Sequence, residues 1–236
     1  MLLSSLYREL RQLANPECAQ ISQRFFKTGQ GEYGEGDRFI GLTVPQVRKL
    51  AKKYRDLSLG ETKQLLRSLI HEERLLALLI LVNAFITSDE AGRRQIYETY
   101  LRNTRYITNW DLVDSSAAQI VGAFLSDRSK TPLRALVRSN NLWERRIAII
   151  ATFHFIRCGE FAPTLAIARQ LLRDDEDLIH KAVGWMLREV GKRDQPLAEK
   201  FLRTHCRQMP RTMLRYAIER FPEAKRQRYL RGTIRR

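Results

Sequence analysis

The chain has 236 residues, 44% hydrophobic and 29% charged, enough to bury a substantial core in one or two domains. Its 42 Lys and Arg against 26 Asp and Glu leave a net charge of +16, which attracts polyanions, nucleic acid first and an anionic membrane surface second. Three scattered cysteines, Cys18, Cys158 and Cys206, with no C-x-x-C, argue against a disulfide framework and fit a reducing cytosol.

Apolar spacing predicts helices over 3–14 and 16–27, the second opened by Asn15 ahead of Pro16. Arg8 and Glu9 come too early for a signal peptide. Residues 29–41 hold five of the twelve glycines, and Gly29-Gln30-Gly31-Glu32-Tyr33-Gly34 spells G-x-G-x-x-G. No strand precedes it, and Glu32, Glu35 and Asp37 would repel a pyrophosphate, so a flexible loop between repeats is expected instead. Helices follow over 45–56, 61–69, 72–86 and 89–102, the first with capping-box spacing in Thr43-Val44-Pro45-Gln46. The apolar run from Leu75 to Ile86 is short and contains Asn83, so it does not read as a membrane span. The next helix, 110–125, opens on Thr108-Asn109-Trp110-Asp111, again with capping-box spacing. The remaining helices are placed at 131–138, 143–157, 161–173, 176–191, 195–207, 211–219 and 222–230, with no convincing strand.

Fourteen short helices with short links predict an all-α fold, an α-solenoid of HEAT-like helix-pair repeats forming one domain over 1–236. A concave basic face of such a solenoid would cradle a duplex. An internal echo supports repetition: Glu73-Arg74-Leu75-Leu76-Ala77-Leu78-Leu79 resembles Glu144-Arg145-Arg146-Ile147-Ala148-Ile149-Ile150, 71 positions later.

Three places could carry chemistry. In helix 176–191, Ile179, Ala182, Val183, Met186 and Val190 form an apolar stripe, while Lys181, Trp185, Arg188 and Lys192 fall opposite it. Trp185 is either buried under a neighbouring repeat or part of an aromatic, basic face for nucleic acid. Trp110 and Asp114, four apart, share one side of a helix beside the stripe of Val113, Ala117, Ile120, Val121 and Phe124. Asp114 is either tied to an Arg or backbone amide, or held ready for a cation. Arg146 opens a helix apolar nearly all round, as a phosphate ligand or a structural ion pair. His71, His154, His180 and His205 lack metal-ligand spacing, there is no P-loop or G-x-S-x-G, and neither metal nor cofactor is expected.

These places carry a resemblance. Asn109-Trp110-Asp111-Leu112-Val113-Asp114, Trp143-Glu144-Arg145-Arg146-Ile147-Ala148 and Lys181-Ala182-Val183-Gly184-Trp185-Met186-Leu187-Arg188-Glu189 look like the matching segments of AlkD-type DNA glycosylases. Phe39-Ile40-Gly41-Leu42-Thr43-Val44-Pro45 is similar to that family's early turn into a helix. The resemblance spans nearly the whole chain and implies HEAT-like repeats that excise N3- and N7-alkylated purines without a deep pocket. It implies that Trp110 and Trp185 are the active-site aromatics, Asp114 the catalytic carboxylate and Arg146 the backbone clamp. Arg145, Lys181, Arg188 and Lys192 join Arg146 as candidate DNA contacts. The expected partner is duplex DNA bearing alkylated bases, with the protein a monomer in the cytosol or nucleoid of a bacterium or otherwise intracellular. The rivals are a noncatalytic HEAT-like protein binding damaged or branched DNA, and a protein-binding scaffold. A carboxylate on the contact face disfavours the first, and the net charge and basic stripe disfavour the second.

Overall fold

The computed structural model describes residues 2–234. Among them the chain is all-helical, apart from one isolated backbone bridge between Arg38 and Ile70. Apart from the long loop over 26–43, helices follow one another through short links, the arrangement expected of HEAT-like helix-pair repeats. The chain divides into two compact units, one ending at Ser116 and the other beginning at Ala117.

The first unit holds α1 (Leu2–Leu13), α2 (Pro16–Phe25), α3 (Val44–Lys53), α4 (Leu59–Leu66), α5 (His71–Thr87), α6 (Glu90–Arg102), a 3-10 turn (Thr104–Tyr106) and α7 (Trp110–Asp114). Helix α5 is its spine and packs against α3, α4, α6 and α7. Its Leu75, Leu76, Ala77, Leu78, Ile80 and Leu81 are all buried, which explains why it has almost no polar face after its first turn. Asn15 caps α2 as predicted, its Oδ1 accepting from Cys18 N at 3.0 Å, and Thr43 and Gln46 form the predicted capping box. A capping box at Ser58 and Glu61 starts α4 at Leu59, two residues earlier than the apolar spacing suggests.

The second unit holds a π-helical turn (Ala118–Gly122), α8 (Thr131–Val137), α9 (Leu142–Arg157), α10 (Ala162–Gln170), α11 (Asp177–Gly191), α12 (Gln195–His205), α13 (Arg211–Ala217) and α14 (Glu223–Leu230). Here α9 is the spine, against α8, α10, α11 and the π turn. Its Ile147, Ala148, Ile149, Ile150, Ala151, Phe155 and Ile156 are buried, as its sequence requires. The echo in the sequence therefore has a structural meaning. Glu73 and Glu144 are each the third residue of their unit's spine helix.

Two expectations fail in instructive ways. The single helix expected over 110–125 is broken into α7 and the π turn, because Ser115 and Ser116 turn their hydroxyls back onto the Leu112 carbonyl, at 3.3 and 2.6 Å. In the π turn, Gly122 lies so close to α9 that a Cβ there would come within 2.2 Å of the Ala151 carbonyl oxygen. The loop expected to be flexible is fastened at its far end. Glu72 of α5 accepts from the amides of Ile40, Gly41 and Leu42 at 3.1, 2.8 and 3.2 Å. Arg38 accepts from His71 N at 2.8 Å. Gly41 has φ +83°, and a Cβ would meet the Asn15 carbonyl oxygen at 2.0 Å, so only glycine fits between the loop and α2.

Candidate functional site

Trp110 and Asp114 are the first and last residues of α7, one turn apart and both half-buried. The cap is not the predicted box. Asn109 Oδ1 accepts from Trp110 N at 2.8 Å, while Thr108 Oγ1 accepts from Arg74 at 2.8 Å. Asp111, which the box would turn back to the backbone, instead bonds His71 Nε2 at 2.8 Å.

That bond belongs to a buried ionic group that the sequence reading missed. Asp37 from the glycine-rich loop accepts from Arg74 Nη2 at 2.5 Å, His71 Nδ1 at 3.0 Å and Asn109 Nδ2 at 3.2 Å. The Asp37, His71 and Arg74 side chains are 7%, 2% and 6% exposed. Burying charges is costly unless they are paired, and here each is paired at least once. Burial pushes Asp37 up, but the bond from His71, the Arg74 charge and the Asn109 amide together hold its carboxyl below the ordinary carboxylate range. The signal available in the sequence was His71-Glu72-Glu73-Arg74, four polar residues opening a helix that is otherwise apolar.

Trp110 lies on an aromatic stack above this group. Its ring is 5.3 Å from Phe26, near parallel at 25°. Phe26 stacks on Phe39 at 5.1 Å, and Phe39 on His71 at 4.5 Å. Phe25, 63% exposed, meets the Trp110 ring edge-on at 6.0 Å. Lys27, directly after this pair, has φ +51°, the one left-handed non-glycine residue among the described residues. Asp114 acts electrostatically on Tyr100. Burial chiefly pushes the Tyr100 phenol up, its bond to Ser116 works the other way, and the charge of Asp114 pushes it further.

In the second unit, Trp185 is half-buried on α11 and tilts against Phe153 of α9, with ring centres 5.9 Å apart. The basic stripe around it is largely paired. Lys181, 41% exposed, bonds Asp177 at 2.7 Å, and Lys192, 44% exposed, bonds Glu189 at 2.8 Å. Arg188 is only 19% exposed and pairs with Glu219. Arg146 is buried, and its Nη1 donates to the Leu178 carbonyl at 2.5 Å. Arg145 bonds Asp174 at 2.7 Å and the carbonyls of Ser139 and Asn140, each at 3.0 Å. Lys181 and Lys192 are thus the stripe's exposed cations, while Arg145 and Arg146 sit within the helix packing.

The chain is thus all-helical with a net charge of +16, its first unit carrying a tryptophan and a carboxylate on α7 and its second a tryptophan on α11. The family described as DNA alkylation repair enzyme matches residues 6–221, and the chain belongs to that family. Its role therefore lies in the repair of alkylated DNA. A solved structure described as a predicted DNA alkylation repair enzyme from Enterococcus faecalis is similar in fold. Its TM-score is 0.68 at 16% identity, over 89% of this chain and 97% of that one. Comparison with curated proteins gives no match. Among the described residues, no helix is long and apolar enough to cross a membrane.

Proposed function

We propose that the protein is a DNA glycosylase that hydrolyses the N-glycosidic bond of cationic N3- and N7-alkylated purines in duplex DNA. The observation that carries this reading is the presence on α7 of an indole and a carboxylate, both half-buried and one turn apart, on a helix held through the Phe26–Trp110 stack and the His71–Asp111 bond.

An alkylated purine that already bears positive charge is a good leaving group and needs no strong general acid. As its bond to C1′ breaks, positive charge passes to the sugar, and water adds to that carbon. An ionised Asp114 stabilises the charge and can orient the water. Each tryptophan face stabilises a cation by ~0.5–2 kcal/mol, which gives Trp110 and Trp185 the same preference as the carboxylate. Lys181 and Lys192, as the more exposed cations, lead the phosphate contacts, with Arg188, Arg145 and Arg146 behind them. The protein acts as a monomer on DNA inside the cell.

The test compares release of 7-methylguanine, hypoxanthine and uracil from the same duplex. An ionised Asp114 cannot donate a proton, so the neutral bases should remain while the cationic one is released. Comparable rates on all three would overturn this mechanism. Binding with no release of any base would favour a noncatalytic DNA-binding protein.

A further inference from the structure

His71 is the first residue of α5 and is buried. Both of its ring nitrogens face carboxylate oxygens, Asp37 Oδ2 at 3.0 Å and Asp111 Oδ2 at 2.8 Å. A carboxylate accepts and does not donate, so the ring satisfies both partners only by donating twice, as an imidazolium. The same ring stacks with Phe39 and lies 4.9 Å from Phe26, the residue that carries Trp110. One side chain therefore holds the first turn of α7 through Asp111 and supports the aromatic ring under Trp110. It also ties both to the loop through Asp37.

We infer that His71, donating to Asp37 and Asp111 at once, is a positioning residue for the Trp110–Asp114 helix, so that loss of its proton slackens the site. The inference deepens the glycosylase reading above and rests on it. Among the described residues no other bond replaces the one from His71, and Asp111 Oδ1 is buried with no hydrogen-bond partner. The charged groups facing the ring are Asp37 from the loop, Asp111 from α7 and Arg74 from α5 itself. Glu72, next along α5, is committed to the amides of residues 40–42.

Burial works to strip the proton from His71, but the bonds to Asp111 and Asp37 outweigh both burial and the Arg74 charge, and its pKa lies above the ordinary histidine value. A raised pKa makes the contribution of His71 fully present below the unfolded-state histidine value and lost as pH rises through the folded one. Neutral imidazole keeps a single N–H, so deprotonation turns a ring lone pair onto one of the two carboxylates: Asp111 loses its donor, or Asp37 keeps the bonds from Arg74 and Asn109 but faces that lone pair. Losing such a buried bond to a charged group typically costs about tenfold or more in the population of the ordered arrangement.

The test has two readouts. Single-turnover release of methylated purines from duplex DNA is followed from mildly acidic to alkaline pH for the wild type and Asp111→Asn. In parallel, the imidazole of His71 and the indole N–H of Trp110 are titrated by NMR without DNA. The expected rate falls about tenfold or more on the alkaline side, with the midpoint of the His71 titration, and the Trp110 resonance moves with that same midpoint. Asp111→Asn should shift the rate midpoint and the His71 titration downward together. Both proteins share one substrate, so any titration of the lesion cancels. A Trp110 resonance indifferent to His71, or a rate limb that Asp111→Asn leaves in place, would overturn the inference. If no base is released at any pH, the glycosylase reading fails, and the NMR titration alone still decides whether His71 positions Trp110.

Discussion

The spine helices α5 and α9 open in the same way and are used differently. Each carries Glu-Arg at its third and fourth positions, and in each the arginine is bound to an aspartate, Arg74 to Asp37 and Arg145 to Asp174. In the second unit the pair stays simple. Arg145 spreads its other bonds over the Ser139 and Asn140 carbonyls, while Asp174 also accepts from the Glu176 amide, so the pair fastens the links before α9 and α11. In the first unit His71 stands where α9 has Leu142, and the pair grows into a network that reaches Asp111, Asn109 and Thr108 around the start of α7. One repeat keeps the ion pair as a fastener, and the other has extended it until it grips the helix with the candidate catalytic carboxylate.

The sharpest way to break this comparison is to remove the two aspartates. Asp37→Ala strands two buried cations and should cost about 3–5 kcal/mol in urea denaturation, the loss typical of breaking a buried pair. Asp174→Ala leaves Arg145 with two carbonyl partners and should cost clearly less. Equal losses would mean that the first network is no more than the second.

The next effect concerns chemistry rather than folding. Asp114→Asn should slow single-turnover base release by roughly 100- to 1000-fold, about 2.7–4 kcal/mol in the barrier. DNA binding should be kept or slightly strengthened, since a charge that repels phosphate is gone. Near-wild-type release would remove Asp114 from the mechanism and leave the network around α7 without a catalytic purpose.

The smallest effect lies on α11. Lys181 keeps 41% of its side chain exposed and pairs with Asp177, itself at the surface. Its loss should change stability by less than about 1 kcal/mol. If it meets a phosphate, Lys181→Ala should make the log–log salt dependence of DNA affinity shallower by about one unit. An unchanged slope would place the phosphate contacts elsewhere in the basic surface.

Much of the fold was legible because it follows from spacing. The apolar runs of α5 and α9, the Asn15 cap and the Thr43–Gln46 box are local, and local signals survive in a sequence. The break after Asp114 was not legible. The stripe Val113, Ala117, Ile120, Val121 continues at helical spacing, and only the serine hydroxyls turning onto the Leu112 carbonyl reveal the interruption. Trp110 and Asp114 were visible as a pair one turn apart. Their supports were not, because Phe26, Asp37, His71 and Asp111 lie up to 85 positions apart in the chain and meet only when it is folded. In the sequence Asp37 counts only as one of three acids, with Glu32 and Glu35, that would repel a pyrophosphate. Nothing in a single loop sequence distinguishes a solvated aspartate from one that is buried against an arginine more than thirty residues away.

The loop before α3 is two things joined end to end. Its front, up to residue 36, bonds largely to itself, with Glu32 and Glu35 accepting from the amides of Gly29 and Gly31. Its back, from Asp37 to Leu42, is where α5 takes hold. Insertions and deletions between residues 28 and 33, beyond Phe26 and short of Gly34, are therefore freer to accumulate without reaching the site, whereas a single residue gained or lost in the back half would pull Asp37 out of register with His71. Over evolutionary time, this stretch should vary in length on one side of Asp37 and hold a fixed length on the other.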